Sequence, residues 1–517
     1  MKNIQLIIPM SGMGNRFLKA GYSDPKPLIE VDGFPMIKHV VGLFPGVTDI
    51  TFICNERHLS QTNMRQILES IAPGCSIREI PCGNRGPVEA VMKISDFIKD
   101  DLETIVSYCD YGTKWDFNLF ISSARDSSLD GSIACYRGFH PHMLGSDNYA
   151  FCREKDGLLQ QIKEKEPFTD NRMEEYASNG TYYFRSGKYL KKYFQELIDL
   201  EISVNGEFYV SLVYNLLVRD GLKVGIFEIE KMLQWGTPYD LEIYKSWSRY
   251  FGTEMDDTEA RNPFGTTLIL PMAGRGSRFS QKGYELPKPM LEVDGEPMIV
   301  KAVQCLPKSD NNVFICLEEH LGRYSLEETL KDRFNGEIVS IEGTTEGQAC
   351  TCEIGIIQAN VNIESPIMIS ACDNGVSYDK SRYMDMVEDE SIDIIVWSFR
   401  NNQTSKVNPN MYAWLEVDSE GYIKHVSCKK FIYDDPLNTH AIIGTMFFRK
   451  AKYFMDGLKK NFDESITTNG EYYVDDVINQ NIKDGLKVKV FEADSYICWG
   501  TPDDYMTYNY WKEYFSL

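Results

Sequence analysis

At 517 residues the chain is too long for one hydrophobic core, so two or three domains are expected. A formal net charge of −22 argues against a broad nucleic-acid or anionic-membrane surface, yet allows basic residues gathered in one pocket for a small anion. No run of 18 apolar residues occurs, and Pro9, Ser11 and Gly12 break the opening apolar stretch, so the sequence reads as cytoplasmic, with neither membrane span nor signal peptide.

The chain begins with an apolar strand, IQLIIPM (4–10), running into the loop SGMGNRF (11–17). A strand ending in flexible glycines, then an arginine, offers backbone N–H groups and a fixed cation, the recipe for holding phosphate. The G-x-x-x-x-G-K-[ST] pattern of a P-loop is absent. A dinucleotide fingerprint needs a third glycine where Phe17 stands, and an unbroken helix that Pro25 and Pro27 deny. Two readings stay open: a nucleoside-triphosphate loop whose extended P-K-P segment aims Lys26 back at the phosphates, or a tight turn with a surface Arg and Lys.

Further along, DITFICN (49–55), TIVSYCD (104–110) and GSIACYR (131–137) read as strands buried on both faces. LSQTNMRQILESIA (59–72) and GPVEAVMKISDFIK (86–99) read as helices between them. The alternation predicts a mainly parallel sheet covered by helices, with ligands beyond the carboxyl ends of the strands, where the glycine loop and Asp110 both fall. Thirteen Cys without a C-x-x-C pair read as reduced thiols, and Cys350 and Cys352 as alternate residues of a strand. The seven His show no metal-binding spacing.

The same order then returns. Gly12 has its counterpart in Gly274 and Lys26 in Lys288, both 262 residues on; Asp110 in Y-C-D-Y-G has Asp373 in A-C-D-N-G, 263 on. NGTYYFR (179–185), NGEFYV (205–210) and WGTP (235–238) recur 264 residues later as IGTMFFR, NGEYYV and WGTP. So slow a drift predicts two whole domains, residues 1–252 and 265–517, with a polar linker at 253–264. Two fused copies also suggest a pseudo-symmetric intramolecular pair.

G-x-G-x-R-F followed by P-K-P-[LM]-[IL]-E-V-D-G-x-P-M, present twice, resembles the nucleotidyltransferases that make nucleotide sugars, the sugar-1-phosphate pyrophosphorylases. The resemblance implies two tandem α/β domains, each Rossmann-like, with a mainly parallel mixed sheet flanked by helices and a small substrate-binding extension. It implies a Mg2+-dependent reaction in which an NTP and a sugar 1-phosphate give an NDP-sugar and pyrophosphate. Carried over, Arg16 and Arg278 would hold the leaving pyrophosphate, and Lys26 and Lys288 the α-phosphate. Gly12, Gly14, Gly274 and Gly276 would line the nucleotide, as would Gly86, Gly347 and Gln348 in the nucleobase segments GPVEA and GQACT. Asp110 and Asp373 would bind Mg2+. Glu164 and Lys165 of KEKEP would grip the sugar and its phosphate, with Gly180 and Gly444 approaching the sugar. In the second copy the register leaves Cys428 beside Lys429.

The chemistry needs cations rather than an acid–base residue, because the attacking phosphate is already an anion. Two departures from the pattern stand out. Gln234 and Cys498 occupy the place of a second metal ligand, for which Glu230 and Asp494 are candidate replacements; Asp240 and Asp503 read as solvated. Cys428 replaces the sugar-gripping Glu. Tyr209 and Tyr473 read as core, and Glu207 and Glu471 equally as helix caps or as ligand contacts. Alternatives are a cytidylyltransferase acting on a non-sugar group such as phosphocholine, or one catalytic half beside a binding half. A glycosyltransferase ranks below these, because no D-x-D occurs.

Overall fold

The computed structural model describes residues 4–83, 85–253, 259–322 and 324–516. Internal contacts divide the chain into Met1–Arg249 and Tyr250–Leu517. The expected linker at 253–264 falls partly on residues 254–258, outside the described residues.

In the first unit the strand Ile4–Pro9 lies between Asp49–Asn55 and Glu103–Ser107, parallel to both, with Ser76–Ile80 outside Asp49–Asn55. Its residues alternate between two cores: Ile4, Leu6 and Ile8 pack on one face, Ile7 on the other with Val106 and Ile133. A central strand covered by helices on both sides is mostly apolar, as this one is; its one polar side chain, Gln5, is buried with its amide bonded to Lys99 O and Thr104 Oγ1. Beyond Glu103–Ser107 the sheet turns mixed. Tyr176–Phe184 runs antiparallel to it, then Gly131–Tyr136 and Val224–Glu228 run parallel to each other. The hairpin Ala150–Lys155/Leu158–Glu164 extends this edge, closed by Asp156 and Gly157, both at positive φ as a two-residue I′ turn requires.

The second unit orders its strands alike: Glu337–Ile341, Asn311–Leu317, Thr267–Met272, Ile367–Ile369, His440–Phe448, Ile394–Phe399, Val488–Glu492. Trp414–Val417 pairs with both Ile423–Ser427 and His440–Phe448, as the first unit's hairpin does.

Some local expectations differ. Cys350 and Cys352 lie in the helix Gln348–Gln358, not a strand. The predicted helix over 59–72 is two, Glu56–Gln61 and Met64–Ile71. Thr62 separates them: extended, it donates to His58 O (2.7 Å) and accepts from Met64 N (3.2 Å). Among the described residues no helix is long and apolar enough to cross a membrane.

Candidate functional site

The glycine loop leaves the strand Ile4–Pro9 and enters the short helix Asn15–Lys19 through Gly14, at φ 65°. Phe17 is buried and anchors that helix, leaving Arg16 exposed. A Cβ on Gly14 would sit 3.4 Å from the Lys26 Cβ, so the loop and the P-K-P segment lie in contact. Gly276 (φ 61°) and Lys288 repeat this at 3.5 Å, with Arg278 exposed. Gly12 and Gly274 are exposed, with nothing near the place of a Cβ. The P-K-P segment is set by the hairpin after it, whose turn Asp32–Gly33 has both φ values positive. Asp32 accepts hydrogen bonds from Tyr244 (2.5 Å) and Ser248 (2.6 Å); Asp294 accepts from Tyr508 (2.7 and 2.8 Å).

Lys26 forms an ion pair with Asp110, and Lys288 with Asp373 at 2.6 Å. Burial opposes ionisation of Asp373, but Lys288 and Arg278 outweigh it and hold the carboxyl below the usual range. Burial likewise opposes charge on Lys288, yet Asp373 raises its pKa above the ordinary lysine value. Each aspartate is braced by the W-G-T-P turn. A Cβ on Gly112 would come 2.7 Å from the Trp235 ring, and one on Gly236 would come 3.1 Å from Asp110 Oδ2 and 3.0 Å from Gln234 Oε1. Gly375 against Trp499 and Gly500 against Asp373 and Cys498 show the same close fit. The D-x-G and W-G-T-P motifs are therefore one packing unit.

The expected replacements for the second metal ligand are not brought to the aspartates. Glu230 lies beyond the far end of the ladder that pairs Tyr111–Lys114 with Lys231–Gln234, exposed and paired with Lys114 at 2.8 Å. Asp494 is exposed near Arg382. Asp240, which the sequence reads as solvated, is instead part-buried. It accepts from Thr237 Oγ1 (2.6 Å), whose oxygen receives Asp240 N in return (3.2 Å). Burial pushes its carboxyl up to about 6, against the Thr237 bond and the charges of Arg16 and Lys26. Its counterpart is Asp504, bonded to Thr501 Oγ1 (2.6 Å) and the Cys498 thiol (3.4 Å), while Asp503 is exposed. The shared 264-residue offset of W-G-T-P pointed to Asp504.

At the other end of the first site Glu164 accepts from Ser211 Oγ at 2.6 Å, and burial pushes its carboxyl up to about 7. Lys165 (φ 60°) donates to the Tyr209 hydroxyl, which donates to Glu207. Tyr209 and Tyr473 are thus half-buried and polar in their contacts; Phe208 is the core residue expected there. Glu207 and Glu471 accept from those hydroxyls rather than capping a helix. Arg16 acts electrostatically on both Tyr209 and Asp240, which ties the glycine loop to this end of the site.

Gly180 and Gly444, both at φ 97°, sit at irregular pairings of their strands. Gly180 O accepts from Tyr108 N at 3.0 Å. Gly86 (φ 94°) and Gly347 (φ 143°) open the helices Pro87–Met92 and Gln348–Gln358. A Cβ on Gly86 would lie 2.7 Å from the backbone of Phe208, and one on Gly347 2.4 Å from that of Tyr472. These glycines let the G-P-V-E-A and G-Q-A-C-T segments lie backbone-to-backbone on the N-G-E segments, in the first unit next to Tyr209.

Residues 6–203 match the family model described as nucleotidyl transferase. No curated protein matches the chain. Similar solved structures include a nucleoside-diphosphate-sugar pyrophosphorylase from Vibrio cholerae RC9, 22% identical over 46% of this chain and 99% of that one, TM-score 0.39. A putative glucose-1-phosphate thymidylyltransferase from Bacillus anthracis is 19% identical over 49% and 98%, TM-score 0.39. The inositol-1-phosphate CTP transferase from T. maritima is 16% identical over 47% and 93%, TM-score 0.35.

Proposed function

We propose, on the premise that the chain carries a nucleotidyl transferase domain over residues 6–203, that both units transfer NMP from an NTP to a small phosphate monoester, a sugar 1-phosphate first among them. The carrying observation is that Arg16, Lys26 and Asp110 have Arg278, Lys288 and Asp373 as counterparts on the same strand order, each Lys paired with its Asp.

A phosphate oxygen of the acceptor attacks the α-phosphorus; the new P–O bond forms as the α–β bridging bond breaks, and both electrons leave with pyrophosphate. Loop amides and Arg16 hold the departing phosphates, and Lys26 offsets charge at the α-phosphate. Glu164, Lys165 and the Gly180 backbone orient the acceptor. The acceptor's phosphate is ionised at neutral pH, so no side chain need remove a proton, and positioning and charge carry the rate.

The donor set fits Mg2+. Among the described residues no three His, Cys, Asp or Glu gather as a metal cage, and Mg2+ characteristically takes one or two carboxylates plus substrate phosphates. Asp110 with Gln234 beside it, and Asp373 in the second unit, would hold it. The ion supplies charge neutralisation across the triphosphate.

Pyrophosphate release from each of the four NTPs, with hexose 1-phosphates, polyol phosphates and phosphocholine as acceptors, tests this reading. Release that needs both substrates and stops on chelation of Mg2+ supports it. Silence for every pair with Mg2+ present overturns it.

A further inference from the structure

The two units hold the acceptor end of the site in one frame. In the first, Asn215 on the helix Val210–Arg219 clamps the strand Leu158–Glu164: its Oδ1 accepts from Ile162 N (3.0 Å) and its Nδ2 donates to Ile162 O (2.8 Å). In the second, Asn479 on Val474–Lys483 clamps Val426 through the same two bonds, at 2.9 and 2.8 Å. Both clamps lie 264 residues apart, so position 428 answers to 164 and 475 to 211. The lysine that follows is at positive φ in both, 60° for Lys165 and 52° for Lys429.

Inside this frame the acid has changed walls. In the first unit the strand end brings the carboxylate, Glu164, and the facing helix the neutral partner, Ser211. In the second the strand end brings a neutral thiol, Cys428, and the helix brings the carboxylate, Asp475, 3.8 Å from that sulfur. Asp475 also feels the charge of Lys429.

We propose that Asp475 is the acceptor-gripping carboxylate of the second unit, presented from the opposite wall to Glu164, and that the two units therefore select different phosphorylated acceptors. The inference rests on the reading of Glu164 and Lys165 as acceptor contacts. A shorter acid on the helix moves the accepting oxygens across the site while keeping one carboxyl group near one lysine. A thiol is a weak donor, so Asp475 keeps its accepting capacity for ligand hydroxyls, where Glu164 spends part of its own on Ser211. An acid in a first helical turn also suits the helix dipole. The neighbouring Asp476 shares that first turn and is bonded elsewhere, accepting from Thr468 Oγ1 at 2.8 Å. Lys429 donates to Met411 O at 2.5 Å, where Lys165 bonds a tyrosine hydroxyl, so the lysines too are held differently.

The test uses the full chain carrying Lys26→Ala, so that turnover on the acceptor panel belongs to the second unit. Asp475→Asn is expected to raise the acceptor KM at least about tenfold while the NTP KM and the melting temperature hold, the cost of losing a charge-assisted contact. The paired exchange Cys428→Glu with Asp475→Ser should restore binding and shift acceptor preference towards that of the Lys288→Ala chain. An acceptor KM within twofold of the parent in Asp475→Asn overturns the inference and leaves the proposed function standing. Should Asp475→Asn lose its fold, the paired exchange decides, and unchanged acceptor preference overturns the inference. A Lys26→Ala chain silent on every pair overturns both the catalytic reading of the second unit and this inference.

Discussion

Lys26 and Glu164 show two ways in which the fold meets a charged group away from open solvent. Lys26 is spent on Asp110, and Glu164 is an acid held in a part-buried site with its Ser211 bond. Because burial lifts the Glu164 carboxyl to about 7, the folded chain keeps its proton between pH 4.5 and 7 while the unfolded chain has released it. This contribution to stability is complete below about pH 4.5 and falls as pH rises through 7. Glu164→Gln should abolish that fall, gaining on the order of 2 kcal/mol over the parent at pH 8 relative to pH 4.5 in denaturant titrations; parallel pH profiles would contradict the assignment. Gly12 tests the loop. A Cβ there meets nothing and no positive φ forbids it, so Gly12→Ala should leave stability within about 0.5 kcal/mol yet raise the NTP KM, as close approach of backbone to phosphate requires.

The residues proposed to hold phosphate were legible because that chemistry demands fixed types at fixed spacing, and the sequence shows them twice over. Asp240 was not. An acid just inside a helix start looks like a solvent-facing cap, and only the fold shows Arg16 and Lys26 acting on it. The proposed exchange between Glu164 and Asp475 was half legible: Cys428 stands where the first unit has an acid, but the acid facing it lies 47 residues further on, on another element.

At the scale of elements, the strands could be read because a strand buried on both faces is mostly apolar, as the central stretches of Ile4–Pro9 and Asp49–Asn55 are. Q-A-C-T-C-E-I-G-I-I-Q misled because a short apolar run fits either period; Gly347 then starts a helix where alternation suggested a strand. The break at Thr62 was hidden because one side-chain oxygen replaces the helical bonding locally. The N-G-E segments showed as motifs without showing what they do, which is to receive the Gly86 and Gly347 backbones. Gly86→Ala and Gly347→Ala combine a positive φ with a backbone clash, so each should cost about 2–4 kcal/mol in unfolding experiments. A loss below about 1 kcal/mol would show that these segments do not pack as described.

At the scale of the whole molecule, a chain of net charge −22 places an Arg and a Lys at each of two glycine loops, each loop with its own Lys–Asp pair. Neither unit lacks the parts, and the acceptor ends differ, which fits two working sites with separate preferences rather than one site and a scaffold. The direct measurement is pyrophosphate release by the parent chain, Lys26→Ala, Lys288→Ala and the double variant across the acceptor panel. Two working sites predict that each single variant loses one acceptor class, with kcat for that class down about a hundred- to a thousandfold, while the double variant loses both. A double variant as active as the parent, or one single variant as dead as the double for every acceptor, would contradict it.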